Sequence, residues 1–259
     1  MEIIQDRLIL RFSNKKEVNE IINLVKDGFD IEIFDKLIYS CKGVEKYISE
    51  NIENPDSQIK YISVIINNIL VAFVEYRYLS KSINLNYIVI NRSFRGKGLS
   101  SIILKKSLDL LDSKYKKLTL DVINSNERAL NWYRKEGFVE QDKTYWYIIV
   151  LKNNNLQSSN VLITNENDAK IQFEKYGFCM LNLLSEQEYQ VGLLGEKWIR
   201  IYTIDILKNI NVLSFLKLNF PARNFFMLSN ENIDKYPINN AIELKYLFFS
   251  YRMELNVNV

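Results

Sequence analysis

The apolar positions between residues 8 and 151 change period several times, and each change marks an element. Leu8–Phe12 is a short run with strand character. Residues 15–26 carry Val18, Ile21, Ile22 and Val25 at helical spacing, with Asn14 placed to cap them. Residues 34–52 read as a second helical stretch, interrupted by Gly43 and followed by Pro55. Ile59–Ile66 and residues 69–79 are β-rich runs joined at Asn67-Asn68. Asparagine tolerates positive φ, so the join predicts a hairpin. A turn at Ser80-Lys81 leads into Ile83–Ile90, which alternates and is rich in β-branched residues. From Leu99 the apolar residues Ile102, Ile103, Leu104 and Leu108 return to helical spacing. Residues 117–122 predict a strand, 126–136 a helix closed by Gly137, and 145–151 another strand. The order β-α-α-β-β-β-α-β-α-β predicts a mixed α/β fold with a hairpin sheet.

A polar, low-complexity run then predicts a linker over 153–160, dividing the chain into 1–152 and 161–259. The second part ends in a long, aromatic-rich strand over 242–254. Two stretches in it, 169–178 and 205–220, echo the helix at 126–138, and neither follows a basic glycine turn. Two readings stand: amphipathic helices that end in a turn look alike, or residues 161–259 are a degenerate half-copy of the first fold that binds no cofactor.

Composition changes this picture mainly by exclusion. The sequence has 259 residues and no histidine, which removes Ser-His-Asp and Cys-His mechanisms and His-ligated metal sites. We expect no metal. Cys41 and Cys179 stand far apart with no CxxC pattern, which suits a reducing, cytoplasmic location. The charged residues among the first dozen do not fit a signal peptide, and no apolar run has the length of a membrane span. A net charge of +3 gives no reason to expect nucleic acid as a partner. A homodimer is left open.

The chemistry concentrates between residues 82 and 113. A strand feeds a basic segment containing Arg92, Arg95, Gly96, Lys97 and Gly98, and this opens a helix. Helix N-termini expose unpaired N–H groups and a partial positive charge, both suited to phosphate. Gly96 and Gly98 lack the Cβ atoms that would hold a pyrophosphate off the backbone, and Arg95 and Lys97 add charge. The spacing is not that of a Walker loop. A dinucleotide fingerprint fits in part, but Ser101 stands where the third glycine belongs.

Arg95-x-x-Gly98-x-Ser100 resembles the acyl-CoA loop of the GNAT superfamily of N-acetyltransferases, with Ser100 where that family has Gly or Ala. A second stretch, Asn126-x-x-Ala129-x-x-Trp132-Tyr133-x-x-x-Gly137-Phe138, resembles the family's other motif. The resemblance covers about residues 7–151. It implies a mixed, mostly antiparallel sheet flanked by helices, followed by a smaller α/β domain. It implies acetyl-CoA held by Arg95, Gly96, Lys97, Gly98, Leu99 and Ser100, with Asn126 and Ala129 along the pantetheine arm. Backbone at Ile88, Val89 and Ile90 would hold the acyl carbonyl, and Tyr133 would protonate the leaving thiolate.

The implied reaction moves an acetyl group to a primary amine on a small molecule or peptide. Many relatives place a glutamate on the fourth strand, where this chain has Asn84, Leu85 and Asn86. Glu75 on the preceding strand is the nearest carboxylate in sequence, with Asp121 behind it. A water chain held by Asn86 is the other option for the base. Two alternatives remain: a non-catalytic CoA-binding or interaction protein, and a Rossmann-type dinucleotide domain.

Overall fold

The structure is a computed structural model that describes residues 8–112, 115–152, 157, 160–234 and 236–257. β1 (Leu8–Phe12) leads into a capping box, in which Asn14 and Glu17 each satisfy the other's backbone N–H. α1 (Val18–Gly28) continues a 3-10 turn at Lys15–Glu17, so the helix expected over 15–26 is present; α2 (Ile31–Phe34) and α3 (Val44–Glu53) follow in place of the one stretch expected over 34–52. Residues 34–52 break because Gly43 lies against another part of the chain. A Cβ on it would fall 2.4 Å from the Lys175 carbonyl oxygen.

β2 (Ile59–Ile66) and β3 (Ile69–Tyr78) form the expected hairpin, with Asn67 and Asn68 at φ 51° and 63°. β4 (Ile83–Ile90), α4 (Leu99–Leu108), β5 (Lys117–Ile123), α5 (Glu127–Lys135) and β6 (Val139–Leu151) complete the first half. The second half runs β7 (Leu162–Ile163), α6 (Glu166–Tyr176), β8 (Phe178–Leu184), β9 (Glu188–Leu194) and β10 (Trp198–Ile201). It continues through α7 (Asp205–Lys208), α8 (Ile210–Asn219), β11 (Asn224–Ser229) and β12 (Ile242–Asn256). The expected linker over 153–160 falls mostly outside the described residues.

All the described strands join one sheet in the order β1-β2-β3-β4-β5-β12-β6-β11-β10-β9-β8-β7. Read from either end, the order is the same once six is added to or taken from each number. The pairing senses repeat as well. β4 and β5 run parallel, as do β10 and β11, and every other pair is antiparallel. The last strand of each half has crossed to the other. β12 lies along β5, and β6 lies along β11.

The repeat corrects the sequence echo at 205–220. By position in the fold, α8 stands where α4 stands in the first half, not where α5 does. The connection from β11 to β12 has no helix among the described residues.

Leu118, Leu120 and Val122 of β5 pack with Ile103, Leu104, Leu130 and Tyr133 of α4 and α5. On the sheet's other face, Tyr61, Phe73 and Val89 pack with Val18, Ile21 and Val25 of α1 and Ile48 of α3. In the second half, Ile199, Phe225 and Met227 pack with Leu207, Leu213 and Leu216. The halves meet where Ile38 and Cys41 cover Leu194, Trp198 and Phe226. Glu50 of α3 accepts from Lys175 (2.8 Å) and Tyr176 (2.6 Å) across the same boundary. No described helix is long and apolar enough to cross a membrane.

Candidate active site

Parallel β4 and β5 pair only over Ile83–Leu85 and Leu118–Leu120. Beyond Leu85 the two strands diverge. A bulge sits at the point of divergence: Tyr87 faces Glu75 and Leu85 faces Tyr76, leaving Asn86 as the extra residue on β4. A cavity of about 450 Å³ opens in the gap. Asn86, Ile88, Val89 and Ile90 line one wall, and Asp121, Val122 and Ile123 line the other. One edge of β4 is thereby left without a strand partner, so its backbone groups are available to a bound molecule.

The phosphate end is built at the start of α4. Gly96 and Gly98 have φ of 78° and 71°, in the left-handed region. Gly98 is the N-cap of α4 and supplies no side-chain cap, so the first-turn N–H groups keep their hydrogen-bonding capacity. Arg95 donates from Nε to the Ile90 carbonyl at 2.7 Å, which orients its guanidinium. Burial, together with the like charges of Arg92 and Arg128, holds the Arg95 pKa below the usual arginine value. Three guanidiniums share this corner, an arrangement suited to a polyanion. Lys97 lies with its Nζ 5.0 Å from the Phe94 ring centroid, and neither Lys97 nor Gly98 lines the cavity.

α5 supplies the opposite wall. The Asn126 side-chain oxygen caps the helix by accepting from the Ala129 N–H at 3.2 Å, and both residues line the cavity. Tyr133 is 7% exposed and also lines it. Its hydroxyl has no partner among the described residues. Burial, with a further push from Tyr76, raises its pKa well above the ordinary phenol value, so it is protonated at neutral pH. Ser101 ties the two helices together by donating to Glu136 and accepting from Trp132 Nε1 at 3.1 Å.

The candidate bases separate sharply. Glu75 is fully buried and does not line the cavity. It accepts from Tyr39 at 2.6 Å, from Asn86 at 2.5 Å and from Arg77 at 3.1 Å. The expectation that Glu75 faces the reacting groups is therefore corrected: it sits behind Asn86 and orients it. Asp121 does line the cavity, with Arg252 of β12 at 2.9 Å. Burial raises the Asp121 pKa above the usual carboxylate value, against the opposing pull of Arg252.

Sequence reading did not single out Arg128, Gly28 or Arg252. Arg128 occupies an unspecified position of the downstream motif, and Arg252 arrives from a strand more than a hundred residues away. Gly28 carried a signal that could have been used, a glycine at the end of an amphipathic helix. A Cβ there would fall 2.8 Å from Val89 Cγ1.

This arrangement defines an α/β protein whose splayed parallel pair opens beside an uncapped helix N-terminus. Residues 26–138 match the family model "Acetyltransferase (GNAT) family". That segment, less than half of the chain, is similar to the GNAT acetyltransferases. Among solved structures, a tandem GNAT protein from the clavulanic acid biosynthesis pathway aligns with 97% of this chain and 99% of its own. Its TM-score is 0.67 at 8% identity. An acetyltransferase candidate from Pyrococcus horikoshii gives a TM-score of 0.66 at 14% identity, over 97% and 90% of the two chains. A GCN5-related N-acetyltransferase from Sphaerobacter thermophilus gives 0.58 at 10% identity, over 97% and 96%. These likenesses establish the fold over both halves. No curated protein matches the sequence.

The dinucleotide alternative is corrected by the same facts. In the first half β4 and β5 are the one parallel pair among the described residues, where a Rossmann domain has a mostly parallel sheet. Ser101 is also committed to Glu136 and Trp132, not to close helix–strand packing.

Proposed function

We propose that the protein transfers an acetyl group from acetyl-CoA to a primary amine, in the cavity between β4 and β5. The observation that carries this reading is the Tyr133 hydroxyl, without a partner among the described residues, on the wall of a cavity whose far end is an uncapped helix N-terminus beside three arginines. Acetyl-CoA would supply the acyl group already activated as a thioester. The residues present fit it. Arg95, Arg128 and the amides of Gly96–Ser100 hold the pyrophosphate. The free side-chain N–H₂ of Asn126 reaches the pantetheine arm. Backbone of Ile88, Val89 and Ile90 donates to the acyl oxygen as charge gathers there.

In the transfer, the amine nitrogen bonds to the carbonyl carbon and the carbon–sulfur bond breaks. Tyr133 gives its proton to the departing sulfur. Asp121 takes the proton the amine loses, with Asn86 and Glu75 keeping the bulged edge of β4 in register. The raised pKa of Asp121 makes it a better base than an ordinary aspartate. Lys97 acts at longer range, as charge beside the pyrophosphate.

We further propose that residues 1–152 carry this chemistry and that residues 161–259 are a copy of the fold without its cofactor site. Tyr133→Phe tests the reading. We expect kcat to fall by about 10²–10⁴-fold, the usual contribution of general acid catalysis, with acetyl-CoA affinity nearly unchanged. A rate within about twofold of the parent would remove Tyr133 from the mechanism.

A further inference from the structure

The last ladder pair between β4 and β5 is Leu85 with Leu120. Asn86 and Asp121 are the next residues on either strand, and both line the cavity. They stand on opposite walls at the point where the strands part. Asp121 has Arg252 against one carboxylate oxygen. Asn86 is half-buried and has a partner for its nitrogen alone.

The sense of the Asn86 amide is set by its neighbour. A carboxylate only accepts, so Asn86 turns its Nδ2 to Glu75 Oε1, at 2.5 Å. Its Oδ1 receives no hydrogen bond among the described residues. Glu75 is itself locked: Tyr39 donates to its Oε2 at 2.6 Å, and Arg77 to its Oε1 at 3.1 Å. Tyr39 sits in a 3-10 turn, Ile38–Ser40, that the second half holds from outside. Ile38 and Cys41 flank the tyrosine and cover Leu194, Trp198 and Phe226. Asp35 pairs with Lys197 at 2.8 Å, and Lys36 Nζ lies 4.3 Å from the Trp198 ring centroid. Each link from the second half to Asn86 is thus a direct contact.

An amide with its nitrogen committed and its oxygen free, on the wall of a reacting cavity, is set to receive an N–H. We propose that Asn86 Oδ1 accepts a hydrogen bond from the incoming amine, and that Glu75 and Tyr39 are positioning residues that hold it in that sense. This rests on the acetyl-transfer reading above. A neutral primary amine has two N–H groups and one lone pair. One N–H is held by Asn86, the other faces Asp121, and the lone pair is left for the carbonyl carbon. As the carbon–nitrogen bond forms and the carbon–sulfur bond breaks, Asp121 takes one proton and Tyr133 protonates the sulfur. The N–H on Asn86 stays with the product amide. The site therefore selects primary over secondary amines, because N-methylation removes one of the two N–H groups.

Thiol release from acetyl-CoA is measured with phenethylamine, isopentylamine and glycine, each against its N-methyl derivative. In the parent, the primary member of each pair should have a kcat/KM higher by about three- to tenfold, the range of one neutral hydrogen bond. Asn86→Ala leaves Glu75 its bonds from Tyr39 and Arg77. It should abolish the preference, with acetyl-CoA affinity by calorimetry unchanged. Glu75→Gln gives the amide a neighbour that donates as well as accepts, so the amide can turn and the preference should shrink. Binding gives a readout that needs no turnover. N-acetylphenethylamine should bind the parent about three- to tenfold more tightly than its N-methyl derivative, and Asn86→Ala should bind the two equally.

Equal turnover of primary and secondary amines by the parent, or a preference that survives Asn86→Ala, would overturn the assignment and leave acetyl transfer standing. A full preference in Glu75→Gln would remove Glu75 and Tyr39 as positioning residues. Absence of thiol release with every amine, despite acetyl-CoA binding, would overturn both readings.

Discussion

The two parallel strand pairs of this protein have the same place in the fold and opposite fates. β10 pairs with β11 along its whole length, Trp198–Ile201 against Asn224–Met227. β4 pairs with β5 over three residues and then leaves it. The β9–β10 ladder is regular, whereas the β3–β4 ladder carries the bulge at Asn86. Before α4 the chain has two glycines with positive φ and an arginine cluster. Before α8 it has Asn209, whose side chain accepts from the Val212 N–H and so occupies the helix end that α4 leaves open. The proposed cofactor cleft of the first half thus lies where a bulge parts the strands beside a helix N-terminus with no side-chain cap. At the matching place, among the described residues, the second half has neither: the β9–β10 ladder is regular and Asn209 caps α8.

The largest test of this comparison is to remove the exchanged strand. β12 pairs with β5 from Lys117 to Ile123 and with most of β6. A fragment ending at Lys152 loses the strand between them and exposes both edges. We expect it to aggregate or unfold, as read by circular dichroism and gel filtration. A soluble, folded fragment that binds acetyl-CoA normally would show that the first half closes its sheet alone.

Next in size is Gly98→Asp. It puts a carboxylate and a Cβ at a position with φ of 71°, beside the proposed pyrophosphate site. Acetyl-CoA affinity should fall by about tenfold or more, since a lost charge-assisted hydrogen bond costs about 1.5–3 kcal/mol. Unchanged binding by calorimetry would move the phosphates elsewhere.

The smallest effect is a shift in pH dependence. Asp121 must be ionised to accept a proton, so activity falls as pH drops through its pKa. Arg252 lowers that pKa, in opposition to burial. Arg252→Gln removes the lowering influence, so the pKa rises further and the acid limb of the kcat/KM profile moves to higher pH. A limb that stays in place or moves to lower pH would separate Asp121 from the proton transfer.

Much of the first half was legible in the sequence because its signals are local. Asn67-Asn68 announced a turn, Gly137 ended a helix, and the strand-to-glycine-to-helix run at 83–108 predicted its own geometry. What escaped was set by distant contacts. Residues 139–144 lie outside the strand that the sequence predicts at 145–151. They are nonetheless in β6, because residues of β12 some hundred positions later pair with them. The strand exchange left no local trace, so Arg252 could not be placed beside Asp121. Glu75 misled for the same reason. A lone glutamate on a strand looks solvated or catalytic, and only the fold shows Tyr39, Arg77 and Asn86 closing around it.

The central claim is that the two halves share a fold and only one of them binds the cofactor. Calorimetric titration of the full chain with acetyl-CoA tests it most directly. We expect one molecule bound per chain, and none at that affinity after Gly98→Asp. Two molecules per chain, or one that persists undiminished in the variant, would contradict the account.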